Sequence, residues 1–194
     1  MARAARLPPA GQGAPPRVPF ALVLVDFVNP LDFPGAEDLA PDAEAAARAA
    51  ATLRRRVVAR GGQVIFANDN YGLWQSDFGQ LRRLCARLPG VPSRIAKLLP
   101  ARRHDIAVLK PRHSAFFQTP LALLLEQMHC RRVILAGLAT DNCILFTAMD
   151  AYLRGYSLWV PSDCTAAESR QARDESLAHM ARVLKADTRP ALKA

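Results

Sequence analysis

Short, wholly apolar runs alternate along the chain with longer stretches in which apolar residues recur every three or four positions. Residues 20–27 (Phe-Ala-Leu-Val-Leu-Val-Asp-Phe) are apolar except for Asp26. A run of that length, partly β-branched, reads as a strand buried on both faces. Residues 64–67, 106–109 and 133–136 repeat the pattern, and 157–160, ended by Pro161, make a fifth strand. Residues 185–188 are a candidate sixth. The stretches between them have helical periods. Residues 41–60 begin at Pro41 with Asp42 as cap, are filled with alanine, close on arginine and stop at Gly61-Gly62. Residues 78–88 place Phe78, Leu81, Leu84, Cys85 and Leu88 on one face. Shorter helices are expected over 92–99 and 120–129, with others from 142 to 154 and from 169 to 184. Strands alternating with helices imply right-handed crossovers and a parallel sheet covered on both faces. The expected fold is a three-layer α/β/α sandwich around a mostly parallel, Rossmann-like six-stranded sheet.

Composition narrows this picture. A chain of 194 residues holds one domain with a sizeable core, expected over residues 20–190. Pro8, Pro9, Pro15, Pro16 and Pro19, with Gly11 and Gly13, mark residues 1–19 as a disordered leader, and 191–194 as a short tail remain. Arg3 and Arg6 are followed by no apolar signal core, so secretion is not expected. No apolar run approaches the roughly 18 residues of a membrane span. The net charge of +9 raises the question of nucleic acid. Its arginines are scattered along helices, as in Arg54-Arg55-Arg56, with no interleaved aromatic residues to stack bases. Solvated helix faces are the expected reading, with no nucleic-acid partner. Cys85, Cys130, Cys143 and Cys164 show no paired C-x-x-C spacing, which disfavours zinc and disulfides. Free thiols and a cytoplasmic location are expected.

Candidate chemistry gathers at strand ends. The run through Ala136 is broken by Gly137. Thr140, Asp141 and Asn142 are helix-capping types, which puts Cys143 in the first turn of the next helix. Open backbone N–H groups and the helix dipole favour a thiolate there and can hold an oxyanion. In open α/β sheets, ligands bind beyond the carboxyl ends of the strands. Asp26, Lys110 and Cys143 all stand at or just past such ends. Each has a plainer reading: Asp26 as a loop cap, Lys110 as a surface residue, Cys143 as a small buried hydrophobe. Lysine is scarce, however, with only Lys97, Lys110, Lys185 and Lys193. An acid, a cation and a thiol at three strand ends form a stronger signal than any one alone.

Three motifs in order carry a resemblance. Val25-Asp26-Phe27-Val28-Asn29 closes the first strand. Lys110 is followed by Ser114-Ala-Phe116 and Thr119-Pro-Leu121. Gly137-Leu-Ala-Thr-Asp-Asn-Cys143 precedes Thr147-Ala148 and Ala151 to Tyr156. Together they resemble the isochorismatase-like cysteine hydrolase superfamily, over about residues 21–188. The resemblance implies a triad of Asp26, Lys110 and Cys143. It also implies a non-proline cis peptide at Leu138–Ala139 and an oxyanion hole from the N–H groups of Ala139 and Cys143. In the implied reaction Asp26 takes the thiol proton, the sulfur attacks an amide-type carbonyl, a thioester forms, and water activated by Asp26 releases the acid. It further implies a small-molecule substrate and a homodimer or homotetramer. Metal-binding members carry histidines after the second strand. Here that stretch is Asn68-Asp69-Asn70-Tyr71-Gly72-Leu73-Trp74, and His104, His113, His129 and His179 are scattered. No metal, no cofactor and no nicotinamidase activity are expected. Phe27, Asn70, Trp74, Arg112 and Phe116 are candidates for the substrate pocket, with core packing as the alternative for the aromatic ones. The leading expectation is a metal-independent cysteine amidohydrolase. The alternatives are a vinyl-ether hydrolase working through Asp26 without covalent catalysis, and a non-enzymatic basic binding protein.

Overall fold

The computed structural model describes residues 14–75 and 77–193. Five strands form one parallel sheet: β1 (Phe20–Val25), β2 (Gln63–Asp69), β3 (Ile106–Lys110), β4 (Arg132–Leu138) and β5 (Ser157–Trp159). Their spatial order is β3-β2-β1-β4-β5, and a two-residue β6 (Thr165–Ala166) pairs with the end of β4. Successive side chains of a strand face opposite ways, and β1 shows it plainly. Leu22 and Leu24 pack under α1 (Ala36–Ala59), α2 (Phe78–Arg87) and α3 (Val91–Leu98). Ala21, Val23 and Val25 pack under α4 (Leu121–Gln127), α5 (Leu145–Leu153) and α6 (Arg170–Val183). With a helical layer on each face, the three-layer α/β sandwich stands as expected.

The topology opens a crevice. From β1 the chain steps outward to β2 and β3, then returns to add β4 on the other side of β1. The connections leaving β1 and β4 therefore diverge, and a ligand site is expected between them. At that point Val25 and Gly137 are register partners. Gly137 has φ 145°, and a Cβ there would lie 1.9 Å from the Val25 carbonyl oxygen. Glycine is what lets the two strands close up beside the site.

Several boundaries differ from the sequence reading. Helix α1 starts at Ala36 and carries Pro41 inside it. Burial of Ala36 and Leu39 docks the extra turn, with Glu37 and Asp38 favourably placed at its positive end. The sixth strand is Thr165–Ala166; residues 185–188 contribute only an isolated bridge, Trp159 to Asp187. The helix expected from 142 is divided into a π-helical turn, Thr140–Ile144, and then α5. Residues 1–13 of the expected leader lie outside the described residues. Val18, also assigned to the leader, is buried and donates its N–H to the Met128 carbonyl at 2.9 Å. The tail is held as well, because the Asp163 carboxylate accepts from the Ala191 and Leu192 N–H groups at 2.7 and 3.0 Å. Arg54 is not on a solvated face: it is 2% exposed, paired with Asp105, and donates to the Pro100 carbonyl at 2.6 Å. Among the described residues no helix is long and apolar enough to cross a membrane.

Candidate active site

Asp26 is the first residue beyond β1, and φ 49° turns its side chain into the crevice instead of along the sheet. Its N–H stays bound to the Ala67 carbonyl at 3.0 Å, so β2 anchors the turn. Lys110 ends β3, two strands away, and its stem crosses the end of β2. The ammonium nitrogen Nζ lies 2.8 Å from Asp26 Oδ2 and 3.6 Å from Asp69 Oδ2. It also lies 3.5 Å from Cys143 Sγ and 3.2 Å from the Arg112 carbonyl oxygen. Lys110 is completely buried and Asp26 is 5% exposed. Two such charges are tolerated inside a protein because each is partnered. The second Asp26 oxygen, Oδ1, accepts from the Asp69 N–H at 2.7 Å.

Cys143 reaches the same point from β4. The Leu138–Ala139 peptide is cis, and the π-helical turn follows it, with the Ile144 N–H on the Ala139 carbonyl at 3.1 Å. Thr147 Oγ1 donates to the Cys143 carbonyl at 2.6 Å and accepts from the Ala115 N–H at 3.0 Å, which ties this turn to the loop after Lys110. Thr140 and Thr165 share a hydroxyl contact of 2.8 Å beneath it. Cys143 is partly accessible, unlike Cys85, Cys130 and Cys164, which are buried.

The electrostatics correct one expectation. Burial, reinforced by the Asp26 carboxylate, pushes the Cys143 thiol up to about 12, against the pull of Lys110. Burial and Asp26 thus favour the thiol, against the thiolate expected from the residue's place at a helix start. Burial also pushes the Asp26 carboxyl above the ordinary carboxylate range, with Lys110 opposing it. Burial works to lower Lys110, but Asp26 and then Cys143 outweigh it and hold the ammonium above its usual range. The arrangement is a buried ammonium that pairs with the Asp26 carboxylate at 2.8 Å and lies 3.5 Å from the Cys143 sulfur. It can move one proton from sulfur to carboxylate as a new bond forms at sulfur.

Of the proposed pocket residues, Asn70 is buried and bound to the backbone of Lys110. Its N–H donates to the Lys110 carbonyl at 3.0 Å, and its Oδ1 accepts from the Gly72 N–H at 2.9 Å. The Arg112 side chain is exposed; only its carbonyl meets Lys110. Trp74 is 78% exposed. Phe27 and Phe116 are core residues instead, 1% and 3% exposed, because the two sides of the sheet take up their rings. Phe116 is stacked on Tyr156 and covered by the Arg154 guanidinium. Two residues at the site were not singled out from sequence. Asp69 supplies an N–H to Asp26 and a carboxylate to Lys110; its place opposite Lys110 follows from the β2–β3 register, which sequence alone does not give. His113 places Nδ1 3.8 Å from Cys143 Sγ. Its spacing after Lys110 was visible, but nothing in the pattern showed that this loop folds back over the sulfur. Among the described residues no group of three or more His, Cys, Asp or Glu side chains is placed to hold a metal ion.

Known proteins resemble the chain over this whole fold. The Isochorismatase domain family model matches residues 20–188. An isochorismatase family protein of Bacillus subtilis is 36% identical over 169 residues, covering 86% of this chain and 91% of that protein. The maleamate amidohydrolase of Pseudomonas putida is 29% identical over 153 residues, covering 74% and 70%. The structure of an isochorismatase family protein from Burkholderia thailandensis superposes with a TM-score of 0.72 at 23% identity, over 93% of this chain and 96% of that one, and shows the shared fold. From its first strand to the segment beyond α6, this chain belongs to the isochorismatase family of hydrolases.

Proposed function

We propose that the protein is a metal-independent cysteine amidohydrolase, cleaving the C–N bond of a small amide or ureide through a thioester on Cys143. The observation that carries this reading is the position of Lys110 Nζ, 2.8 Å from Asp26 and 3.5 Å from Cys143. One buried ammonium thus holds the base beside the nucleophile. Amide chemistry is further supported by the maleamate amidohydrolase among its relatives. The absence of metal chemistry rests on the loop after β2, where residues 68–74 carry no histidine.

In the reaction, the Cys143 thiol gives its proton to Asp26 as sulfur bonds to the substrate carbonyl carbon. The backbone N–H groups of Ala139 and Cys143 receive the oxyanion. Asp26 returns the proton to the leaving nitrogen, the C–N bond breaks, and a thioester remains. Water then cleaves the thioester and releases the acid. Lys110 stays charged throughout and stabilises the ionised carboxylate between transfers. Assembly as a homodimer or homotetramer belongs to the same proposal; sedimentation at the mass of one chain contradicts it.

The test is a panel of small amides and ureides with ammonia release as readout. One class is turned over, and Cys143→Ala lowers that turnover at least about 10³-fold while the folded far-UV and near-UV spectra persist. Full activity in Cys143→Ala together with loss in Asp26→Ala overturns covalent catalysis; no turnover of any amide or ureide, with Asp26-dependent cleavage of a vinyl ether, points to the alternative reaction.

A further inference from the structure

His113 is an exposed residue beside the sulfur, whereas the Asp26 carboxylate is buried. Its Nδ1 is 3.8 Å from Cys143 Sγ, and its ring is stacked on Phe146 with centroids 5.4 Å apart and planes 29° apart. That stacking fixes the ring beside the nucleophile while leaving the residue exposed. Asp26 is placed differently. It is 5% exposed, Oδ1 accepts from the Asp69 N–H, and Oδ2 is paired with Lys110. Lys110 holds Asp26 inside the fold and also lies 3.5 Å from the sulfur, and in the proposed reaction Asp26 carries the proton between sulfur and leaving nitrogen. The water of the second half-reaction arrives from solvent, through the space the leaving group has vacated. On that side the base within reach of the sulfur is His113.

We infer that His113 is a catalytic residue of deacylation, the general base for the water that attacks the Cys143 thioester. This rests on the covalent reading above and replaces Asp26 at that one step. The water oxygen bonds to the acyl carbon while its proton passes to His113. The tetrahedral adduct collapses, the C–S bond breaks, the carboxylic acid leaves, and the proton on His113 returns to the Cys143 sulfur. Imidazole suits the step because a ring nitrogen can accept the water proton and later give it up. Among the described residues, Cys143 and Phe146 are in contact with His113. Lys110 and Arg112 belong to its own loop, Cys143 to the π-helical turn, and from α5 the contact is the uncharged Phe146. Asp150, also on α5, is occupied by Ser114 and Arg154.

The full chain is acetylated with p-nitrophenyl acetate, freed of reagent, and the loss of the acetyl adduct from Cys143 is followed by intact mass. In His113→Gln the adduct forms as in the wild type and decays on the order of 10²-fold more slowly. In His113→Ala added imidazole restores the decay, which a structural role for the ring would not allow. Decay at the wild-type rate in both variants overturns the inference. An absence of any adduct on Cys143 in His113→Gln as well as in the wild type overturns the covalent reading instead, so the two failures are distinguishable.

Discussion

Lys110 has no surface in contact with water, and its charge is matched by Asp26 at 2.8 Å and Asp69 at 3.6 Å. Removing one member of such a pair strands the other. Lys110→Met is expected to destabilise the fold by about 3–5 kcal/mol, and Asp26→Asn in the same chain to recover most of that loss. Urea unfolding of the single and double variants reads both. A neutral Lys110→Met contradicts the pairing. The sulfur makes a second prediction. Because burial and Asp26 push the Cys143 thiol up to about 12, little thiolate exists near neutrality. Its alkylation by iodoacetamide, read by peptide mapping, should climb with pH to about 10 and beyond, whereas an unperturbed thiol levels off above about 8.5. Asp26 makes a third. In the proposed reaction Asp26 is the base and must be ionised, and burial raises it. The rate is retained at pH above the raised value and lost as pH falls through it. The acid limb of kcat/KM should therefore lie above the ordinary carboxylate value of about 4, and a limb at or below that value contradicts the role.

At the scale of elements, the site depends on how β1 and β4 end. Gly137 allows them to approach, and a Cβ there would meet the Val25 carbonyl oxygen at 1.9 Å. Gly137→Ala is expected to cost about 3 kcal/mol or more, by clash and by its φ of 145°. Thermal unfolding checks it, and an unchanged Tm contradicts the tight approach. The same elements explain what could be read in advance. Strands buried on both faces are continuous apolar runs, so β1, β2 and β4 stand out, as does the short apolar run of the edge strand β3, and the polar residues at or just past three of their ends, Asp26, Lys110 and Cys143, stand out with them. A two-residue strand such as β6 has no period to read. Pro41 resembled a helix start because proline is welcome at a first turn, and the burial of Leu39 that extends α1 backward is a tertiary effect. The π-helical turn uses the same residues as an α-helical one, so sequence placed Cys143 correctly but not the backbone around it. The fold-back of the Lys110 loop that brings His113 to the sulfur is long-range packing, through Thr147 and Phe146.

At the scale of the whole molecule, two helical layers bury the sheet, and the chain parts where the connections leaving β1 and β4 diverge. The fold assembles a carboxylate, an ammonium and a thiol from three strand ends. The surplus of arginine is partly structural: Arg54 links α1 to Asp105 and Pro100 just before β3, away from solvent. The central claim is that the sulfur becomes covalently attached to substrate. Turnover of an amide substrate quenched in acid, followed by peptide mapping, tests it most directly. An acyl group on Cys143 in the wild type, with no product formed by Cys143→Ala, is the predicted result. Product formed with no adduct on that sulfur, and at the wild-type rate in Cys143→Ala, would contradict it.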